Sequence, residues 1–238
     1  MSSDRLVSVV IPAFNAEPYI AEAIEGVLDD PHRPLEIIVV DDGSTDRTAA
    51  VVERFHEEVT LIAQPNRGIS AARNAGFAAT HGSYLATLDA DDRWVGGRLA
   101  LQLAVLDARP DVDLVYGHAR QFLSPELDAE ERSRLRIARE VIAVRTVTSM
   151  LARRAAFERV GPFEEEYAVG QSLSWTLRAD ELGLVTVLLP DVVFERRIHR
   201  TNQGRTRPDL ANLRLHALKA SLDRRRAEGA RDEGTARH

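Results

Sequence analysis

Short β-branched runs alternate with helix-period patterns through the first half of the chain. Leu6–Ile11, Leu35–Val40, Val59–Ala63, Tyr84–Leu88 and Val112–Tyr116 predict strands, and several are apolar on both faces, as a buried parallel sheet requires. Between them, Ile20, Ile24, Val27 and Leu28 recur at helical spacing, and Val51, Val52 and Phe55 form a second stripe. Ser44 is positioned to N-cap the helix after Asp46, and Gly82 to stop the helix before it. Alternation at this pitch builds βαβ units, so the expected class is α/β: a Rossmann-like, mostly parallel sheet flanked by helices.

The rhythm breaks after about residue 117. Ser124–Glu140 is strongly charged and predicts a surface loop with a helical piece. Leu151–Phe157 reads as a short helix or strand leading into the Gly161-Pro162 turn. Trp175–Leu182 has a helical pattern, Val185–Leu189 a strand pattern, and Asp209–Arg226 an amphipathic helical one built on Leu210, Leu213, Leu218 and Leu222. From about Arg224 the chain is polar, and residues 229–238 are expected to form a flexible tail.

Composition narrows the function classes. The formal net charge of -6 argues against a nucleic-acid partner, and the absence of cysteine removes disulfides, thiolate metal sites and a cysteine nucleophile. No window approaches the roughly 20 apolar residues of a transmembrane segment, and no signal-length apolar run follows Met1. A soluble cytoplasmic protein is the expectation.

Candidate chemistry gathers at the strand ends, where ligands of open α/β sheets bind. Pro12-Ala13-Phe14-Asn15 follows the first strand, Asp41-Asp42-Gly43-Ser44 the second, Gln64-Pro65-Asn66-Arg67-Gly68 the third and Asp89-Ala90-Asp91-Asp92 the fourth. These polar clusters converge on one rim. In their order and wording, VSVVIPAFN, EIIVVDDGSTDRT, QPNRGISAARNAG and GSYLATLDADD, the chain resembles the family 2 glycosyltransferases of the GT-A fold over roughly residues 6–225. The resemblance implies one GT-A domain over residues 1–228. Residues of about 1–117 would bind the nucleotide sugar, and those of about 118–228 would form an acceptor-side subregion.

It also implies a nucleoside-diphosphate sugar donor, an unidentified acceptor and a divalent cation, Mn²⁺ or Mg²⁺. Pro12, Phe14, Asn15, Asp41, Asp42, Asn66, Gly68, Arg73 and Asp89 become the donor-binding candidates, with Asp41 on the base and Asp89 on the ribose. Asp91, with Asp89 and His199 of the late Arg197-x-His199-x-x-Asn202 element, becomes the metal set, since carboxylates suit a hard cation. Asp92 is either behind the metal ligands or the N-cap of the next helix. Arg73 reaches a phosphate or pins the acidic loop, and Arg196, Arg197 and Arg200 offer positive charge to a diphosphate.

One element departs from the family pattern. Between Phe163 and the Trp175…Arg178 pair the family carries an acidic cluster that includes the catalytic base; here those positions are Gln171, Ser172 and Ser174. Neither an amide nor a serine hydroxyl takes a proton at neutral pH, and a positioned general base contributes roughly 10²–10⁴-fold. Three accounts follow: a nucleotide-sugar-binding homologue without turnover, an acceptor that needs no strong base, or another carboxylate among Glu164, Glu165 and Glu166. A sugar-1-phosphate nucleotidyltransferase is disfavoured because no Gly-rich basic loop follows the first strand. A Rossmann oxidoreductase lacks its G-x-G-x-x-G there.

Overall fold

The computed structural model describes residues 5–135, 137, 140–166, 170–200, 202, 219 and 221–223. The elements expected in 209–226 and the tail at 229–238 fall outside them, apart from 219 and 221–223. The strands are β1 (Val7–Ala13), β2 (Leu35–Asp41), β3 (Val59–Ala63), β4 (Tyr84–Thr87), β5 (Arg93–Trp94), β6 (Leu114–Leu123), β7 (Val141–Ile142), β8 (Leu151–Arg153) and β9 (Thr186–Ile198). The helices are α1 (Ile20–Leu28), α2 (Thr48–Val52), α3 (Ile69–Ala78), α4 (Arg98–Ala108), α5 (Ala129–Arg134), α6 (Arg154–Val160) and α7 (Gln171–Glu181). A short 3-10 turn at Val147–Ser149 leads into β8.

One sheet joins them in the order β3-β2-β1-β4-β8-β6-β9-β5, with β7 beside β6. Pairing is parallel through β3, β2, β1 and β4 and again between β6 and β9; β8, β5 and β7 pair antiparallel. The sequence pattern explains the centre. Every residue of β1 is buried, and successive side chains feed opposite faces of the sheet. Val7, Val9 and Ile11 pack with Ile20, Ile24, Leu99 and Leu103 of α1 and α4. Val10 joins Phe77, Phe157, Phe163 and Trp175 on the face of α3, α6 and α7. On that second face Phe157 stacks on Trp175 with ring centroids 5.3 Å apart.

Several local expectations are corrected. Ser44 does not cap α2; Asp46 accepts from the Thr48 amide at 2.9 Å, while the Ser44 hydroxyl accepts from the Asn15 amide at 2.9 Å. Gly82 does not end α3, which stops at Ala78. A Cβ on Gly82 would stand 2.5 Å from the Ser8 hydroxyl oxygen, so its small size serves the close approach of β1. Asp92 caps no helix, because α4 begins at Arg98 after Gly97. The Leu151–Phe157 segment is both strand and helix, β8 followed by α6. Strands β6 and β9 run well past their apolar patterns. Their pairing absorbs Pro190 in a register shift where Tyr116↔Leu188 is followed by His118↔Val192.

Candidate functional site

Because β1, β2, β3 and β4 are parallel, their carboxyl ends share one rim, and a pocket of about 590 Å³ opens there. Its described walls come from the loop after β1, the β2 and β3 ends, the start of α3, the β4 end, the turn before α7 and the segment after β9.

The β1 and β2 loops brace each other. Asn15 adopts φ +50°, and its side-chain oxygen accepts from the Thr45 amide at 2.8 Å; the Ala16 amide donates to the Thr48 hydroxyl at 2.8 Å. Pro12, Phe14 and Asn15 line the pocket, and Phe14 keeps a 45% exposed apolar ring. Of the two adjacent aspartates, Asp42 lines the pocket and Asp41 does not. The buried Asp41 carboxylate accepts from the Ser44 amide at 3.2 Å, bracing its own loop. The Asp42 carboxylate accepts from Gln64 Nε2 at 2.7 Å and from the amides of Arg67 and Gly68 at 2.9 and 2.7 Å. It thereby folds the Asn66–Gly68 segment onto the rim. Gly68 enters α3 at φ +91°, ψ 163°, a backbone region reserved for glycine.

Helix α3 presents three consequential side chains. Ser70 lines the pocket, and its buried hydroxyl has no hydrogen-bond partner among the described residues. Arg73 lies behind the wall rather than on it: its guanidinium pairs with Asp89 Oδ1 and sits 5.7 Å from the Phe163 ring centroid. Asn74 clasps the turn before α7, donating to the Phe163 carbonyl at 2.9 Å and accepting from the Phe163 amide at 2.8 Å.

Asp89, Asp91 and Asp92 all line the pocket. Asp89 Oδ2 accepts from the Thr148 hydroxyl at 3.2 Å. Asp91 Oδ2 lies 2.9 Å from His199 Nε2 and 3.4 Å from Asn202 Nδ2. Asp92 accepts from the Arg197 amide at 2.9 Å; burial, then the charges of Asp91 and Asp89, push its carboxyl well above the usual range. The His199 ring packs on Tyr19 with centroids 5.0 Å apart. The Tyr19 hydroxyl donates to Glu126. Arg197 lies between the Tyr19 and Phe122 rings and pairs with Glu22, and Arg200 pairs with Glu131 on α5, so neither turns to the pocket. Arg196 does line it, with no ion-pair partner among the described residues.

Among the described residues, no group of three His, Cys, Asp or Glu side chains is arranged to hold a metal ion. Fewer protein donors suffice for a cation shared with a substrate diphosphate. Mg²⁺ keeps waters and substrate oxygens alongside one or two carboxylates. At metal–ligand distances of about 2.1 Å, neighbouring donors of an octahedral site lie roughly 3 Å apart. The separation of Asp91 Oδ2 from His199 Nε2 fits two such neighbours, once the proton between them is displaced.

Gln171, Ser172 and Ser174 are not among the pocket residues. Gln171 and Ser174 are buried in the first turns of α7, and the Ser174 hydroxyl donates to Glu164. Glu165 and Glu166 do line the pocket. Thr148 and Tyr19 carry no motif that singles them out; they are found only through the segments they bring against Asp89 and His199.

The sequence profile described as Glycosyl transferase family 2 matches residues 8–161. The Bacillus subtilis uncharacterized glycosyltransferase EpsJ is 30% identical over 192 residues, 73% of this chain and 56% of that protein, so the chain spans little more than half its relative's length. Among solved structures, S. aureus TarS 1-349 in complex with UDP-GlcNAc superposes with TM-score 0.67 at 20% identity, covering 87% of this chain and 64% of TarS. The mannosyltransferase PcManGT of Pyrobaculum calidifontis, in complex with GDP-Man and Mn2+, gives TM-score 0.61 at 25% identity over 82% of this chain and 58% of that one.

Proposed function

The chain belongs to glycosyl transferase family 2, and on that premise we propose that it transfers a sugar from a nucleoside-diphosphate sugar to an acceptor, assisted by a divalent cation. The observation that carries the reading is the convergence of four strand-end segments on one pocket, with Asp91 and His199 paired at its floor and Arg196 beside them. A single sheet from Val7 to Ile198 supports treating the two halves as one unit.

The roles follow from the chemistry of each wall. Phe14 offers an apolar face to the nucleobase, with Asn66 and the loop organised by Asp41 and Asp42 at its polar edge. Asp89, held by Arg73 and Thr148, is oriented to accept from a ribose hydroxyl. Asp91 and His199 would hold Mn²⁺ or Mg²⁺, which when bound neutralises the charge of a leaving diphosphate. Arg196 adds charge-assisted hydrogen bonds to that diphosphate. The donor ligands of the similar structures make UDP-GlcNAc and GDP-Man the first probes.

The test is a thermal-shift panel of nucleoside diphosphates and their sugars with Mn²⁺, in which a bound donor stabilises by RT ln(1 + [L]/Kd). At least one nucleoside-diphosphate sugar should raise the melting temperature in a concentration-dependent way. A flat response to the whole panel would remove the proposal.

A further inference from the structure

Glycosyl transfer needs a proton acceptor, and the residues at 171, 172 and 174 supply none. The described pocket residues include six carboxylates: Asp42, Asp89, Asp91, Asp92, Glu165 and Glu166. Five are already engaged. Asp42 accepts from Gln64 and from the amides of Arg67 and Gly68. Asp89 is held by Arg73 and Thr148, Asp91 by His199, and Asp92 by the Arg197 amide. Glu165 accepts from Arg67 Nη2 at 2.8 Å and from Asn74 Nδ2 at 3.2 Å. Glu166 alone has no hydrogen-bond or ion-pair partner among the described residues. Resting on the transfer reading above, we propose that Glu166 is the general base of the reaction, doing from the turn between α6 and α7 what an acid on α7 would otherwise do.

The three residues before it are anchored. Asn74 bonds both backbone groups of Phe163, Ser174 bonds Glu164, and Arg67 pairs with Glu165. Three consecutive residues are thus tied to α3, α7 and the β3–α3 loop, and Glu166 is the next one along. The hydroxyl at Ser174 contributes directly. A carboxylate there would face the Glu164 carboxylate, whereas the hydroxyl donates to it and fastens the turn.

In the reaction, Glu166 takes the proton from the acceptor O–H as the oxygen bonds to the anomeric carbon. The bond from that carbon to the diphosphate oxygen breaks, and its electron pair leaves with the nucleoside diphosphate. With water as acceptor the products are the free sugar and the nucleoside diphosphate, the proton passing to Glu166.

The experiment is single-turnover hydrolysis of UDP-GlcNAc and GDP-Man by the full 238-residue chain with Mn²⁺, alongside calorimetric donor binding. Glu166→Gln should slow release of the nucleoside diphosphate by about 10²–10⁴-fold while donor Kd stays within twofold, and Glu166→Asp should restore part of the rate. A Gln variant as fast as wild type, or a wild-type chain that binds donor without releasing its diphosphate, would overturn the assignment and leave donor binding standing. A chain that binds neither donor overturns the transfer reading and this assignment with it.

Discussion

Ser70 brings a buried hydroxyl to the pocket wall, and its oxygen has no partner among the described residues. A buried polar group without a partner is costly, and a bound ligand that supplies one gains about 0.5–1.5 kcal/mol net. Ser70→Ala should therefore leave the unliganded melting temperature unchanged or slightly raised, yet weaken donor binding by about 2- to 12-fold in calorimetry. A lowered melting temperature with unchanged Kd would make Ser70 structural. Glu126, which accepts from the pocket residue Tyr19, is tested through pH. Burial alone would raise its carboxyl, but hydrogen bonds from Ser124 and Tyr19 outweigh burial and hold it at about 2. A depressed folded-state value means stability present above the unfolded value of about 4.3, and lost as pH falls through about 2. Glu126→Gln should be less stable than wild type at pH 7, with the gap in melting temperature closing on acidification.

At this scale the motifs single out Asp91 and His199, which the fold brings together in the pocket. The sequence was ambiguous where neighbours differ only in direction. Asp41 ends β2 and Asp42 follows it, and successive side chains point oppositely, so only the folded strand tells which one meets the pocket. Ser70 was invisible because nothing in the pattern distinguishes a lining serine from any other early-helix serine.

Helix α3 is the element on which the site depends, since Ser70, Arg73 and Asn74 all project from it. It approaches the sheet so closely that a Cβ on Gly76 would stand 2.4 Å from Val10 Cγ1 and 3.1 Å from Val40 Cγ2. Gly76→Ala gains up to about 1 kcal/mol of helix propensity but overpacks stiff valines at a cost of about 1–3 kcal/mol. Net destabilisation in urea, together with weaker donor binding, is the expected outcome. A second support is Arg98, fully buried on α4 with its guanidinium 4.0 Å from the Trp94 ring centroid, donating to the carbonyls of Thr148 and Met150 at 3.1 and 3.3 Å. Gln102 adds bonds to the carbonyls of Val115 and Ser149 at 2.9 Å each. The grip orders the turn whose Thr148 meets Asp89. Arg98→Leu strands those carbonyls and should cost about 3 kcal/mol, read as a lower urea midpoint. Periodicity revealed α1, the α2 region and the first four strands, because α1 buries one apolar stripe and β1, β2 and β4 are largely buried. It missed most of β6 and β9, where polar residues and Pro190 interrupt the apolar pattern while the two strands stay paired.

For the whole molecule, the parallel strands β1 to β4 put the polar strand-end clusters on one rim, and the antiparallel insertion of β8 brings Thr148 to that rim from the second half. The fold class and the strand-end clusters were legible because the first half repeats one βαβ unit. Thr148 was not, because it reaches Asp89 from a turn in the second half that no motif singles out. Among the described residues no helix is long and apolar enough to cross a membrane. The central claim is that Asp91 and its surroundings make this rim a cation-assisted nucleotide-sugar site. Calorimetric titration of UDP-GlcNAc and GDP-Man into wild type and Asp91→Ala, each with and without Mn²⁺, tests it directly. The account predicts Mn²⁺-strengthened binding of at least one donor by wild type, with that strengthening lost in Asp91→Ala. Equal affinity in the two proteins, or binding indifferent to Mn²⁺, would contradict it.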